Sequence, residues 1–152
     1  MKTNKFTILG SGSSLGVPRI DGNFGNCDPK EIKNHRSRCC AHLKFNDINI
    51  LIDTSPDLRA QLIKNKIKDV NVVLYTHAHA DQTHGINDLR AFYIKYKKRL
   101  NVYADKTTKK HLMSSFGYCF KNKPGYPSIL KMNILKKKIT FKSKKGNLMI
   151  EP

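Results

Sequence analysis

The segment THAHADQTHG, residues 76–85, places three histidines and one aspartate directly after a short apolar run, residues 70–75. The run is rich in β-branched residues, which favours a buried strand. A strand here delivers the histidines to one edge of a sheet, and Gly85 lets the chain turn into the next element. The spacing therefore predicts a metal-binding turn at the end of a strand.

His77 and His79 are the first candidate metal ligands in this segment. Imidazole is a common zinc ligand, and two histidines separated by one residue can point to one side of a tightly turned chain. Asp81 follows two residues later, and its carboxylate can bind a neighbouring ion or orient the attacking water. We therefore predict that all three residues bind metal and that Asp81 is also catalytic. The alternative is a polar loop whose histidines simply face solvent.

This motif resembles the one found in metallo-β-lactamase-fold hydrolases, in which His-x-His-x-Asp-His follows a strand. Other parts of the chain are similar to the branch that contains ribonuclease Z and PhnP, a phosphoribosyl cyclic phosphate phosphodiesterase. The similar segments are FTILGSGSSLGVP at 6–18, NCDP at 26–29, RSRCC at 36–40, LIDTSPDLR at 51–59 and GINDLR at 85–90. The resemblance implies an α+β fold, the N-terminal half of an αββα sandwich with a mixed sheet and flanking helices. It also implies one or two divalent ions, zinc or manganese.

Gln82 departs from the family motif, because it stands where the family has a histidine for the second metal. An amide is a poorer ligand than imidazole, so we expect a weakened second site in which Gln82 is a weak candidate ligand. In principle, His84 can supply the imidazole that is missing at position 82. The preferred interpretation is that His84 contacts a ligand residue or the substrate.

Two further polar residues are candidates near the site. Asp53 ends a predicted strand, and it either anchors the loop beside the metals or caps the turn that follows. Arg90 lies off the apolar stripe of a predicted helix, where it holds a phosphate oxygen or forms a surface ion pair.

The chain has 152 residues, and we expect one domain that is the N-terminal half of a longer protein. The family takes another histidine for the first metal, a bridging aspartate and a final histidine from its C-terminal half. Here only His111 follows His84, and no aspartate follows Asp105. A half-fold leaves an apolar sheet face uncovered, which favours aggregation or pairing with another chain, such as a homodimer.

The formal net charge is +18, from 29 Lys and Arg residues against 11 Asp and Glu residues. Such a charge attracts phosphate groups. Nucleic-acid binding is possible but not favoured, because the lysines are spread along the chain without an arginine-rich arm or a helix-turn-helix or zinc-finger spacing. The four cysteines, Cys27, Cys39, Cys40 and Cys119, show no regular spacing, so we expect reduced thiols. No signal peptide or membrane span is predicted, which favours a cytoplasmic protein.

Secondary structure follows from the hydrophobic pattern. Strands are predicted at residues 5–9, 41–45, 48–53, 70–75 and 100–104, and helices at about 56–64, 86–96 and 105–113. Long loops are predicted at 10–34 and 116–130, and a hairpin at 139–152.

The functional prediction is a metal-dependent phosphodiesterase that uses a metal-activated water on a small cyclic or nucleotide-like phosphodiester. One alternative is a ribonuclease Z-like nuclease. Another is a non-catalytic remnant or basic binding module, which Gln82 and the missing ligands favour for this chain. Enzymatic activity is therefore predicted for the intact family member, and the activity of this chain itself is left open.

Overall fold

Six strands form one mixed sheet in the computed structural model, which describes residues 4–152. In sheet order they are β1 (Asn4–Gly10), β2 (Cys40–Phe45), β3 (Ile48–Ile52), β4 (Val72–Leu74), β5 (Leu100–Ala104) and β6 (Leu130–Ile134). The pairs β1–β2 and β2–β3 are antiparallel, whereas β3 to β6 run parallel to one another. The predicted α+β class with a mixed sheet is confirmed.

Helices connect the parallel strands, as crossovers between parallel strands require. They are α1 (Leu58–Lys64), α2 (Ala80–Thr83), α3 (Arg90–Tyr96), α4 (Lys106–Ser115) and α5 (Gly117–Phe120). Asp105 caps α4, because its carboxylate accepts a hydrogen bond of 2.6 Å from the backbone N–H of Thr108. The helix predicted at 86–96 is present, but its first turn, Ile86–Leu89, is a 3-10 helix and α3 follows it.

The ends of β3 and β4 meet at one edge of the sheet. The backbone N–H of Asp53 donates to the carbonyl of Leu74 at 2.8 Å, and that of Tyr75 donates to Tyr103 at 2.9 Å. Because parallel strands end on the same side, the segments that follow β3 and β4 lie next to each other. This edge holds the histidine motif.

The two faces of the sheet are covered differently. One face packs on the helices through a large buried cluster that includes Leu51, Val73 and Val102. The other carries Ile50 and Val72, which pack with the hairpin of β7 (Ile139–Ser143) and β8 (Gly146–Ile150). The hairpin predicted at the end of the sequence is therefore present, and it covers part of the face that we expected to be open.

On that second face, β1 is left exposed by the described residues. Phe6 pairs in register with Leu43, which pairs with Ile50, so all three point to the same side of the sheet. Phe6 is 58% and Ile8 67% exposed. An exposed apolar strip at an edge strand is consistent with association, and the homodimer stays a prediction.

An ion pair fastens the long loop before β2 to the start of α1. The Arg38 guanidinium donates to both carboxylate oxygens of Asp57, at 2.6 and 3.0 Å, and the Arg38 backbone N–H donates to the same carboxylate at 2.9 Å. Asp57 itself occupies the N-cap position of α1. The Arg38 guanidinium holds the pKa of the Asp57 carboxyl below its usual range.

Replacing Asp57 by asparagine should lower the free energy of unfolding by roughly 1–2 kcal/mol at pH 7, after allowing for partial exposure. Since the folded pKa is depressed, this stabilisation is complete above the unfolded pKa of about 4, decreases below it, and is lost as the pH falls through the lower folded pKa. Urea unfolding at pH 7 and pH 3.5 measures the loss of unfolding free energy at neutral pH and its decrease at acidic pH. The matched control is Asp69→Asn, because its ion pair with Lys95 is about half exposed. If Asp57→Asn lowered the free energy of unfolding equally at the two pH values, the stabilisation would not come from the ionised Asp57 carboxylate.

Candidate metal centre

His77 and His79 lie side by side in the segment between β4 and α2. Their ring centroids are 4.6 Å apart with an interplanar angle of 74°, and both residues are exposed. His79 occupies the N-cap position of α2 in an extended conformation, and its carbonyl accepts from the Thr83 hydroxyl at 2.9 Å. The structure therefore brings the two predicted imidazole ligands together on the surface.

Asp53 anchors this segment through Thr76. One carboxylate oxygen accepts from the Thr76 backbone N–H at 2.8 Å and the other from the Thr76 hydroxyl at 2.7 Å. Asp53 is 6% exposed, and burial raises the pKa of its carboxyl while the two hydrogen bonds from Thr76 oppose the rise. Of the two interpretations of Asp53, the contacts are those of a loop anchor rather than a cap of the following turn.

The Thr76 hydroxyl also determines which nitrogen of the His77 ring carries the hydrogen. Its oxygen lies 3.0 Å from His77 Nδ1. A hydroxyl has a single hydrogen, and here that hydrogen goes to Asp53, so the oxygen accepts from Nδ1–H. This tautomer leaves the lone pair of His77 Nε2 free to bind a metal. Thr76 was not identified from the sequence, although a hydroxyl residue beside a candidate ligand is a signal that could have pointed to it.

Thr76→Val should therefore weaken divalent metal binding by about 10–100-fold, because partners that orient a ligand histidine have effects of that size. Valine keeps the shape and the backbone donor but removes the hydroxyl that links Asp53 to His77. Thr76→Ser keeps the hydroxyl and serves as the control. Zinc titration by isothermal calorimetry compares the two variants. Equal zinc affinities for the valine and serine variants would refute the role of the hydroxyl in orienting His77.

Asp81, Gln82 and Cys39 form a second polar cluster, which includes the start of α2. The Gln82 side-chain amide nitrogen lies 2.8 Å from Asp81 Oδ2 and 2.9 Å from Cys39 Sγ, and the Cys39 and Asp81 atoms are 3.9 Å apart. Gln82 is 5% exposed, whereas Cys39 and Asp81 are half-buried. Cys39 was not a predicted site residue, since it lies 42 positions before Asp81 and its spacing carries no signal.

His84 and Arg90 have different surroundings. His84 ends α2, where its ring contacts the Thr83 hydroxyl at 3.1 Å and meets the edge of Phe116 at 5.5 Å. The Arg90 guanidinium lies over the Tyr126 ring, 5.1 Å from its centroid, and within residues 4–152 it forms no ion pair with a carboxylate. The roles predicted for both residues stay predictions.

The residues present fit a divalent ion only in part. Within residues 4–152, no three His, Cys, Asp or Glu side chains converge on one point. Two adjacent imidazoles, of which His77 has its tautomer fixed by Thr76, are nevertheless a suitable pair of zinc ligands, and a carboxylate stands two residues further on. His77 and His79 are thus the pair that would hold an ion here.

A family model described as "Beta-lactamase superfamily domain" matches residues 48–152. The chain belongs to the β-lactamase superfamily. Over 147 residues it is 32% identical to a protein of Porphyromonas gingivalis (strain ATCC BAA-308 / W83) named octanoyltransferase, covering 95% of this chain and 29% of that protein. The chain therefore spans less than a third of the length of this curated relative.

Solved structures share the metallo-β-lactamase fold. A diphosphatase from the PhnP family matches with a TM-score of 0.76 and 28% identity, over 97% of this chain and 56% of that one. Zn²⁺-bound PqqB from Methylobacterium extorquens matches with a TM-score of 0.58 and 19% identity, over 91% and 48% of the two chains. The short form of human tRNase Z matches with a TM-score of 0.58 and 15% identity, over 93% of this chain and 57% of that one. At these lower identities the last two matches establish the fold alone.

The described helices are all too short or too polar to cross a membrane. The cytoplasmic location stays a prediction.

Proposed function

We propose that this chain carries the metal-binding part of a metal-dependent hydrolase that cleaves a small cyclic or nucleotide-like phosphodiester. The observation behind the proposal is the His77–His79 pair, with its rings 4.6 Å apart at the end of β4. The chain that holds this pair is 28% identical to a diphosphatase from the PhnP family. The ion is zinc or manganese.

Each residue of the site has a defined task in this proposal. His77 and His79 hold the first ion, while Asp53 and Thr76 fix the orientation of the His77 ring. A divalent ion supplies a lowered pKa for the attacking water and neutralises charge on the phosphoryl oxygens. Asp81 orients the water or binds a second ion, and its half-buried position beside Gln82 limits where its carboxylate can point.

The charge distribution supports an anionic substrate. Arg38, next to Cys39, lines a cavity of about 800 Å³ together with Lys33, His35, Arg36 and Lys64. The chain as a whole carries a formal charge of +18. Asp57 also lines this cavity and pairs with Arg38, so its excess of positive charge comes from the other basic residues, and the cavity is separate from the histidine pair. An excess of positive charge raises the local concentration of anions, which favours a phosphate ester.

Cleavage of a diphosphate is the second candidate, since the PhnP-family structure with the TM-score of 0.76 is that of a diphosphatase. Both reactions displace an oxygen leaving group from phosphorus, and both need the same neutralisation of phosphoryl charge. They differ in the bond broken, which is a phosphate ester in one case and a phosphoanhydride in the other.

Parallel assays of the purified protein test the proposal. We expect hydrolysis of bis(p-nitrophenyl) phosphate or a 2′,3′-cyclic nucleotide that requires added Zn²⁺ or Mn²⁺ and stops with excess EDTA. A faster reaction on a nucleoside diphosphate sugar would favour the diphosphatase. Equal rates with and without EDTA would overturn metal dependence.

A third outcome identifies the non-catalytic alternative. Metal binding without turnover of any of these substrates would contradict the hydrolase. Salt-sensitive binding of random-sequence RNA under the same conditions would then support a basic binding module.

A further inference from the structure

A cavity of about 370 Å³ lies at the edge of the sheet opposite to the histidine motif. Its lining includes Lys5 at the start of β1, Lys44 near the end of β2 and Asn49 near the start of β3. β3 runs from this edge towards the motif, and its five residues span about 16 Å. We propose that this cavity is an anion site that binds a phosphate or diphosphate group, separate from the metal ligands.

The cavity has an excess of positive charge. Four lysines line it, and within residues 4–152 none of them forms an ion pair: Lys5, Lys44, Lys66 and Lys68. Asp69 is the one carboxylate among the described lining residues, and it is already engaged. It accepts from Lys95 Nζ at 2.5 Å and from the Tyr96 hydroxyl at 2.6 Å. Lysine binds phosphate as a point charge, and a cavity with an excess of one charge concentrates the opposite ion.

Two of these lysines face each other across β1 and β2. Lys5 and Lys44 are direct partners in the antiparallel register, and they lie on the same side of the sheet as Thr7 and His42. Like charges in directly opposite positions destabilise a sheet. An anion bound next to both ammonium groups offsets this repulsion, whereas a cation would add to it.

His42 adds a buried group without a partner to the same cavity. It pairs in register with Leu51, on the sheet face that packs on the helices, and it is 5% exposed. Its Nε2 atom has no hydrogen-bond partner among the described residues. A buried polar atom of this kind is unfavourable unless a ligand or water satisfies it. This orphaned atom points to a ligand independently of the lysines.

The charges around His42 match an anionic ligand. Burial lowers the pKa of His42, and a side-chain hydrogen bond with Asn49 opposes this shift. The charges of Lys44 and Lys5 lower the pKa further. A bound anion has the opposite effect on the ring, since a nearby negative charge favours the imidazolium. The protonated ring then donates its Nε2–H to the ligand.

The lining favours a phosphate over other anions. A phosphate group carries about two negative charges near neutral pH, whereas a carboxylate carries one. Four ammonium groups and an imidazolium therefore gain more from a phosphate. Apart from His42, the described lining has no aromatic side chain on which a base could stack. We therefore expect pyrophosphate to bind as tightly as ADP.

A pyrophosphate titration of the nitrogen-15-labelled protein, in the presence of EDTA, tests the site by NMR. The ring nitrogens of His42 report on this cavity alone, so that anions bound elsewhere on a chain of charge +18 do not interfere. We expect a saturable shift towards the imidazolium form at pH 7. Acetate at the same ionic strength should not produce it. A His42 signal that millimolar pyrophosphate leaves unmoved would overturn the site.

The Lys5→Gln/Lys44→Gln variant should weaken pyrophosphate binding at this site by about tenfold or more, because it removes two charged donors. Its melting temperature without anion should be unchanged or higher, since the cross-strand repulsion is also removed. Lys106→Gln/Lys110→Gln is the matched control. These exposed lysines of α4 carry the same charge but do not line the cavity. The control should weaken binding by about twofold at most.

Equal losses of affinity in the two double variants would mean that a basic chain simply attracts anions, and would overturn the site. ADP and inorganic phosphate identify the source of the bound group. Equal affinities for pyrophosphate and ADP indicate a free diphosphate, and tighter binding of ADP indicates the diphosphate of a nucleotide. These measurements need neither metal nor hydrolysis, so the site stands or fails separately from the proposed hydrolase.

Discussion

Simultaneous replacement of His77 and His79 by alanine should lower metal-dependent hydrolysis by at least about a hundredfold, since even residues that merely orient ligands change activity by 10–100-fold. The two imidazoles are the pair that the structure brings together, with ring centroids 4.6 Å apart. Both are exposed, so their loss opens no cavity in the core and the fold should be retained. The activity loss should therefore be separable from unfolding.

Elemental mass spectrometry and the phosphodiesterase assay measure this effect together, with circular dichroism to confirm folding. His111→Ala is the control, because His111 is an exposed residue of α4 that has no part in the motif. The double variant should lose one zinc per chain relative to the control. Hydrolysis that survives in the folded double variant would show that the first ion is held elsewhere.

The sheet could be predicted largely from local sequence patterns. The apolar stretch at 100–104 is strand β5 with the bounds expected, and the hairpin of β2 and β3 follows its alternating pattern. The strand predicted at 70–75 is shorter, since only Val72–Leu74 has ladder partners on both sides. The predicted loop at 116–130 contains a short helix, α5, and its last residue begins β6.

Apart from Asp53, which was named because it ends a predicted strand, the site was predictable only where its residues are neighbours in sequence. His77, His79 and Asp81 lie within one turn, so their spacing carries the signal. The contact of Cys39 with Asp81 depends instead on how β2 and α2 meet in the folded chain, and no spacing records it. The same holds for the ion pair of Arg38 with Asp57, which only tertiary structure brings together.

Gly85 was expected to be needed for a turn, but the structure gives a different reason. Its φ of −84° is accessible to any residue. A Cβ added there would overlap the carbonyl oxygen of Ser55 and come within 2.9 Å of Leu58 Cβ. Backbone hydrogen bonds hold this approach, from Gly85 N–H to the Thr54 carbonyl at 2.9 Å and from Thr54 N–H to the Gln82 carbonyl at 2.7 Å. Glycine is required because the motif packs against the segment after β3.

Gly85→Ala should consequently lower the free energy of unfolding by about 3 kcal/mol, at the upper end of the range for overpacking. For a chain of this length the melting temperature should fall by roughly 6–12 °C. Gly117→Ala is the control, because a Cβ there meets nothing within 4 Å and Gly117 begins α5. That change should be neutral or slightly stabilising.

Thermal and urea unfolding of the two alanine variants distinguish steric crowding from a general cost of replacing glycine. Because Gly85 follows His84 directly, relief of the overlap must move either the motif or the Ser55 segment. The Gly85→Ala variant should therefore also bind zinc more weakly under conditions where it is still folded. Equal melting temperatures for the Gly85 and Gly117 variants would mean that the motif does not depend on this close approach to keep its position.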